Sequence, residues 1–529
     1  MVYETDDSAV IVDCGTMFPD QETLGIDLII PDFTYLNSIR KKLKGVIFTH
    51  GHEDHAGAAP FLLKEFFMPA YGSAFTIGLI REKLTEYSLP KTPRLNVFTP
   101  GDRLEIGSFV IDTIFVNHSI IGACGLVFHT EEGSLVHLTD WKIDKNPVDG
   151  HVIDLKKFDA IGREGVLALF SDSTNAFAEG KTISEKEVRV NLHKVLSKHP
   201  GRIIVSLFSS NIHRVQSLAK IAKELGRSLA LVGRSMHENT DLARSLGALN
   251  LDGINVIDVE QTSELLPEKV MLLATGSQGE PRSVLSRMAV GEFKPFKIRE
   301  GDLVLFSSRT IPGNEQNVGY MINHLTRHGA VVVSEMKGIH TSGHAHQEEI
   351  EIILKKLKPR YLIPIHGEYR HLAKQGDLAA GWGMKRENIL VIENGDTLLF
   401  EGGKAHRFGE VPTGRVFVDG HGVGDVSDMV IRDRRHLSQT GIVICVLMID
   451  RKSGEILRGP ELISKGLTME NAEIMDRAKK GVLEAINKFS IEARTDLAEV
   501  HEEVRLTLMR FFRKELDRKP MVIPVIQEV

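Results

Sequence analysis

Short β-branched runs alternate with amphipathic stretches along the first part of the chain. AVIVD, GVIFT (45–49) and VLALF (166–170) each stop at polar residues, and helical patterns such as PFLLKEFF follow several of them. This predicts a layered α/β fold, in which ligands collect at the C-terminal ends of strands. From Ser184 to Met336 the alternation becomes more regular. Helix patterns (SEKEVRVNLHKVLSKH, NIHRVQSLAKIAKELG) alternate with strands RIIVSLF, SLALVG, KVMLLAT, DLVLFSS and AVVVSE. That reads as a separate parallel-sheet domain, 184–336, inserted into a first domain that begins at 1–183. A helix (HQEEIEIILKKL), a strand (RYLIPIH) and another helix over 337–401 complete the first domain. Gly and Val dominate 402–425, which reads as a linker. In 426–529 a strand pattern (GIVICVLMID) precedes two amphipathic helices, ENAEIMDRAKKGVLEAINKF and DLAEVHEEVRLTLMRFFRKEL.

Composition fits this plan. The 529 residues are 42% apolar and 26% charged, which excludes a disordered or collagen-like chain. At roughly 100–200 residues per domain, the length predicts two to four domains. Cys14, Cys124 and Cys445 cannot form a disulfide framework, and they fit a reducing cytoplasm. No apolar run of about 18 residues predicts a membrane helix. The acidic, strand-like start MVYETDDSAVIVDCG is unlike a secretory signal. Net charge is −6, so any nucleic acid must be attracted by local basic patches or metal ions.

The candidate chemistry centres on His50-Gly51-His52-Glu53-Asp54-His55, directly after GVIFT. Imidazole and carboxylate are ligands for zinc-like divalent ions. The loop turns from strand to helix, so His50 and His52 can serve one ion while Asp54 and His55 serve a second. Further donors end other apolar runs: Asp13 in IVDCG, His118 in FVNHS, Asp140 in LVHLTD and His366 in YLIPIHGE. Taken singly, each is a weak signal, since a lone strand-end His is more often a hydrogen-bonded structural residue.

As a set, and in this order, these residues resemble the metallo-β-lactamase superfamily. Asp172 in SDSTN, His344 in HTSGHA and His366 in PIHGE resemble motifs of its nucleic-acid-processing β-CASP branch. DCGTMFPDQETLGIDLIIPD, THGHEDHAGAAPFLL, SSNIHRVQS, ATGSQGEP, SSRTIPGNE and KPMVIPVIQEV are similar to the bacterial ribonuclease J family over nearly the whole chain. The resemblance implies an αββα sandwich, an inserted β-CASP parallel-sheet domain and a small α+β C-terminal oligomerisation domain. It implies that His50, His52 and His118 hold one metal, that Asp54, His55 and His366 hold the other, that Asp140 bridges them and that Asp13 orients the loop. Two zinc ions are implied, with manganese or magnesium able to support turnover.

Paired ions neutralise phosphodiester charge and lower the pKa of water toward neutrality. In the catalytic group with Asp54, His344 is the candidate proton donor to the leaving oxygen, held by Asp172. Ser209, Ser210 and Asn211 at a helix start, and His340, Thr341, Ser342, Gly343 and His344, match places where such enzymes hold RNA; their backbone N–H groups suit phosphate. Asp27 and Asp419 match positions where relatives hold a structural calcium.

The resemblance further implies a cytoplasmic ribonuclease acting in mRNA decay and rRNA maturation. It would work 5′→3′ from monophosphorylated ends on single-stranded RNA, and also cut internally. It would form a homodimer or homotetramer, join other RNA-decay proteins and need no membrane. A non-catalytic scaffolding paralogue and a DNA-processing β-CASP nuclease are the rival readings. The intact ligand set opposes the first, and the C-terminal domain the second.

The sequence departs from the family in three places. A Gly-rich strand-loop-strand usually precedes the AVIVDCG segment; without it, a short N-terminus and an altered first-sheet edge are expected. Ser-Ile-Pro-Asp after His118 is replaced by Ser119-Ile120-Ile121-Gly122, and Gly-Asp-Phe-Lys by Thr139-Asp140-Trp141-Lys142. Arg432-Asp433-Arg434-Arg435-His436 reads as a solvated loop able to touch RNA. The stripe Val504, Leu506, Leu508, Met509 and Phe512 needs a partner surface.

Overall fold

Two sheets face each other across an apolar core in the larger of two units, Met1–Met17 with Ile30–Arg415. The computed structural model describes residues 1–19, 22–89, 91–420, 422–467 and 472–529. The first sheet runs Val2–Glu4, Ala9–Val12, Leu43–Ile47, Ala70–Ser73, Leu95–Phe98, so Val2–Glu4 forms one edge. The second runs Tyr361–Ile365, Val166–Asp172, Gly133–Leu138, Cys124–Thr130, Phe109–Phe115, Arg103–Ile106. Val10, Val12 and Ile47 meet Ile111, Leu126, Phe128, Phe170 and Ile363 between them. Helices Leu155–Glu164 and Gln347–Leu357 cover the second sheet through Phe158, Ile350, Ile353 and Leu357. Helix Ala74–Glu86 packs beside the first sheet. This is the expected helix–sheet–sheet–helix sandwich.

The return segment matters most for the site. Strand Tyr361–Ile365 pairs parallel with Val166–Asp172, and the register sets Ile365 opposite Asp172. His366 is therefore delivered to the strand end where Asp172 already stands.

The inserted part has six parallel strands, ordered Val256–Ile257, Ser228–Val232, Val270–Ala274, Ile203–Ser206, Leu303–Phe306, Val331–Val333. Helices cover both faces. Val188, Leu192, Val215 and Leu218 line one core, and Leu285, Met288, Met321 and Leu325 the other. The first of these cores also takes in Phe75, Leu79 and Ile120 from the sandwich.

The second unit is Phe18–Ile29 with Val416–Val529. Its three-stranded sheet runs Ile456–Lys465, Ile442–Ile449, Met521–Glu528. Val443, Cys445, Leu447 and Ile449 alternate onto the buried face, where helices Ala472–Asn487 and Leu497–Leu516 pack. Residues 470 and 471, expected to start the first of these helices, lie outside the described residues.

Three expectations need correction. The stretch 402–425 holds the strands Lys404–Glu410, Arg415–Asp419 and Gly422–Val423. Gly402 and Gly403, with φ of +57° and +66°, make the tight turn of the hairpin Asp396–Glu410 rather than loosening the chain. The basic run lies within helix Asp428–Thr440, where Arg434 pairs with Asp419 and Arg435 with Glu22. The C-terminal stripe is covered from within the chain: Val500, Val504, Leu508 and Phe512 recur every four residues and are buried against the unit's own sheet.

Candidate metal centre

Asp13, the His50–His55 loop, His118, Asp140, Asp172, His344 and His366 converge on the strand ends of the sandwich. Asp13 and His366 follow their strands with φ of +59° and +56°, left-handed conformations that cost energy for residues with a side chain. Gly15 allows the HxHxDH loop to close over Asp13, because a Cβ there would lie 1.7 Å from the Asp54 carbonyl oxygen.

Two donor groups share Asp140. In the first, His52 Nδ1 lies 3.1 Å from both His50 Nε2 and His118 Nε2. Asp140 Oδ2 lies 3.5 Å from His50 Nε2 and 3.2 Å from His118 Nε2. In the second, His55 Nε2 lies 3.2 Å from His366 Nε2. Asp140 Oδ1 lies 3.2 Å and 3.4 Å from these two nitrogens, and Asp54 Oδ2 lies 3.7 Å and 3.5 Å from them. Donor atoms at these separations are close to the edges of a tetrahedron around an ion with bonds of about 2.0–2.1 Å. Asp140 Oδ1 is buried and has no hydrogen-bond partner. A buried carboxylate oxygen left so is costly unless an ion uses it. The donor set therefore fits two divalent ions.

The outward nitrogens of His50, His55, His118 and His366 are tied down. His55 Nδ1 donates to Asp13 Oδ2 at 2.7 Å, and Asp13 Oδ1 accepts the Thr49 N–H at 2.7 Å. His50 Nδ1 contacts Thr49 Oγ1, His118 Nδ1 donates to the Gly343 carbonyl at 2.8 Å, and His366 Nδ1 meets Thr174 Oγ1 at 2.9 Å. These partners leave Nε2 aimed inward, the usual way outer groups fix a ligand's tautomer. Thr139 bonds Thr49, so this departure from the family adds to the network. Trp141 is buried in the sandwich core. Gly122 has φ +77° and a Cβ there would lie 2.4 Å from Ser73 Oγ, so the acid usual in this stretch would not fit at that position.

Burial holds His50 far below its ordinary pKa and His52 down to about 3, so both are neutral donors. Burial also disfavours a charged His55, but Asp140 and Asp13 outweigh it and raise the ring to about 10. For His344, Asp172 and Asp140 likewise overcome burial and raise the imidazole. His344 Nδ1 donates to Asp172 Oδ2 at 2.9 Å, while Nε2 lies 3.8 Å from Asp140 Oδ2. The centre opens on the side of Asp54, His366 and His344, whose side chains are 55%, 25% and 21% exposed.

The remaining expected residues are placed as follows. Asn211 caps helix Ile212–Glu224, and Ser209 Oγ bonds Ser235 and Asn239. Thr341 donates to the Ile183 carbonyl, and Ser342 Oγ accepts from Asn175, so neither hydroxyl is idle. His340 Nδ1 is buried with no partner. Asp27 accepts the Gly420 N–H and Asp419 pairs with Arg434, and no group of three His, Cys, Asp or Glu donors includes them among the described residues. Sequence reasoning missed Thr49, Thr174, Asn175 and the Gly343 carbonyl. Thr174 and Asn175 lie inside SDSTN, so that motif was the available signal; a backbone carbonyl gives none.

Comparison with known proteins agrees with this geometry. Family models match for the metallo-beta-lactamase superfamily over 1–152 and the ribonuclease J beta-CASP domain over 200–325. A Zn-dependent metallo-hydrolase RNA specificity domain matches over 329–387, and the ribonuclease J C-terminal domain over 429–529. Ribonuclease J2 of Bacillus subtilis (strain 168) is 36% identical over 530 residues, covering 100% of this chain and 96% of its own. Ribonuclease J of Thermus thermophilus is 38% identical, covering 100% of this chain and 92% of its own. A crystal structure of a protein of unknown function from Enterococcus faecalis V583 shares the fold at TM-score 0.52 and 15% identity, over 77% of this chain and 96% of its own. With a donor set for two ions held at the strand ends of this sandwich, and full-length relatives of one kind, the chain belongs to the ribonuclease J family of metal-dependent ribonucleases.

Proposed function

We propose that this chain hydrolyses RNA 5′→3′ from monophosphorylated ends, with internal cleavage as a second mode, in mRNA decay and rRNA maturation. His50, His52, His118 and Asp140 would hold one ion; Asp54, His55, His366 and the same Asp140 would hold the other. Such ions, zinc first and manganese or magnesium in turnover, would neutralise phosphodiester charge and lower the pKa of water enough to supply hydroxide as a nucleophile at neutral pH. The observation that carries the reading is the Asp140 carboxylate, reached on both oxygens by inward-facing imidazoles and with Oδ1 buried and unpartnered.

The chain's own groups do the rest. Asp172 holds the His344 Nδ1–H, which turns Nε2 toward the cluster, and the Asp172 and Asp140 carboxylates favour the protonated ring against its burial. From there His344 gives its proton to the departing O3′, while the phosphate stays on the 5′ end of the other fragment. The capped helix start at Ser209–Asn211 and the 340–344 segment, with its unpartnered His340 Nδ1, support a grip on a terminal phosphate. Free, buried Cys14, Cys124 and Cys445 accord with a cytoplasmic location. Ile463, Ile523 and Val525, 51%, 40% and 46% exposed on the C-terminal sheet, support assembly of a homodimer or homotetramer through that unit. Joining other RNA-decay proteins rests on the family resemblance alone.

The test is digestion of single-stranded RNA carrying a 5′-monophosphate and a 3′ label, beside a 5′-hydroxyl control and a His52→Ala enzyme. Mononucleotides should leave from the 5′ end, slowly on the control and not at all with the variant. Internal cuts alone would remove the exonuclease reading. No cleavage with zinc, manganese or magnesium would favour a scaffolding paralogue.

A further inference from the structure

Two aromatic side chains stand in solvent on the segments that build the open side of the metal centre. Phe177 is 54% exposed and Tyr369 58% exposed. Phe177 lies in the loop that follows Asp172 and runs to the helix Glu185–Leu196. In that loop Thr174 bonds His366, and Asn175 bonds Ser342 and the His344 carbonyl. Tyr369 opens helix Tyr369–Gly381, three residues after His366. The two segments meet through His371, whose ring stands edge-on to Phe177 with centroids 5.6 Å apart. Lys374 Nζ, one turn further along the helix, lies 5.9 Å from the centre of the Phe177 ring. His371 also sits close behind His366, because a Cβ on Gly367 would come within 3.1 Å of His371 Cβ.

Rings also pack against one another within the metal centre itself. His55 and His366 lie 5.0 Å apart between centroids, and His366 and His344 5.5 Å apart. Phe177 follows Asp172, and His371 follows His366, by five residues in the chain.

We propose that Phe177, with Tyr369 as a second ring, is a stacking platform for a nucleobase of the RNA strand at the mouth of the centre. This rests on the ribonuclease reading above. An exposed phenyl ring gains little from its own chain, whereas every base offers a π-face to stack on, whatever the sequence. That suits an enzyme that degrades RNA without regard to sequence. Lys374 supplies positive charge for the neighbouring phosphates, which a chain of net charge −6 must provide locally. Because the loop and the helix also hold His366 and His344, a base stacked on Phe177 would stay at a fixed distance from the scissile phosphate.

Three enzymes test this: wild type, Phe177→Ala and Phe177→Trp, each with metal content and melting temperature recorded. The substrate is a 5′-monophosphorylated single-stranded RNA, unmodified or with one abasic ribose moved through successive positions. A 2-aminopurine version is titrated in parallel into each enzyme carrying His52→Ala. Phe177→Ala should raise KM about tenfold, within the range for one stacked base. kcat and metal content should hold, and Phe177→Trp should restore KM. At the one position where the base meets the ring, an abasic ribose should erase the difference between wild type and Phe177→Ala. A KM within twofold of wild type on every substrate would overturn the proposal, as would an equal loss at every abasic position or a change in melting temperature alone. If no enzyme cuts RNA yet 2-aminopurine quenching depends on Phe177, the ribonuclease reading falls and the platform stands. If quenching is indifferent to Phe177, the platform falls.

Discussion

A ligand atom is only as useful as the group that aims it. Asp13 binds no ion in the arrangement described, yet it receives the His55 Nδ1–H, the Thr49 N–H and the Thr49 hydroxyl, each at 2.7 Å. Removing its carboxylate frees the His55 ring to turn and the HxHxDH loop to shift. Asp13→Ala is expected to lower activity about 10–100-fold, the usual effect of losing an outer partner. Metal content should fall from two ions toward one, because the second ion depends on His55. Metal analysis beside initial rates checks this, and two ions bound with an unchanged rate would refute the role. Among the candidate ligands, the four crowded into one loop were legible in the sequence by themselves, whereas His118, Asp140 and His366 close apolar runs and stood out only through the family resemblance. Their supports were less legible still. His118 is aimed by the Gly343 carbonyl, 225 residues away, and a backbone oxygen leaves no mark in a sequence.

Between elements, the inserted domain is joined to the sandwich by charge taken out of water. Arg214 lies on helix Ile212–Glu224 and is fully buried, and its guanidinium donates twice to Glu185, at 2.9 and 3.0 Å. It also donates to the Ser307 and Ile339 carbonyls, so it pins the loop that leads to His340 and His344. Lys142, two residues past Asp140, lies 4.0 Å from Glu185. Burial alone would raise the Glu185 carboxyl, but Arg214 and Lys142 outweigh it and bring it down to about 2. The unfolded value is about 4.3, so the pair stabilises the fold fully above that pH and less as pH falls toward 2. Glu185→Gln leaves Arg214 without a counter-charge and should cost about 3–5 kcal/mol at neutral pH. The gap in melting temperature between wild type and variant should narrow as the pH is lowered from 5 to 3. A gap that is constant across that range would exclude the ion pair as its source. Element identity was mostly readable from apolar periodicity. It failed at 402–425 and at Arg432–His436, where glycines mark a hairpin turn and basic side chains find acids across the fold.

At the scale of the whole molecule, residues 13, 50–55, 118, 140, 172, 344 and 366 come from both sides of the inserted domain and close one site. Their order matched a family pattern, so the convergence was legible by resemblance. No local pattern states that Val166–Asp172 and Tyr361–Ile365 pair with Ile365 opposite Asp172. Such a closure concentrates ionisable groups. Asp13, Asp140 and Asp172 are held near six imidazoles and the exposed Asp54, and bound cations would relieve the packing of inward nitrogens only 3.1–3.2 Å apart. Ions that bind the folded site and not the unfolded chain stabilise the fold by mass action, by about 2.7 kcal/mol at a hundredfold excess over Kd. Chelation with EDTA should therefore abolish cleavage and lower the melting temperature of the sandwich and its insertion. The C-terminal unit has its own core and none of these ligands, so its unfolding should not move. Calorimetry before and after chelation, then with zinc or manganese restored, makes the comparison in one molecule. If activity falls while no transition moves, the ions serve chemistry alone. If every transition moves equally, the two units do not unfold independently.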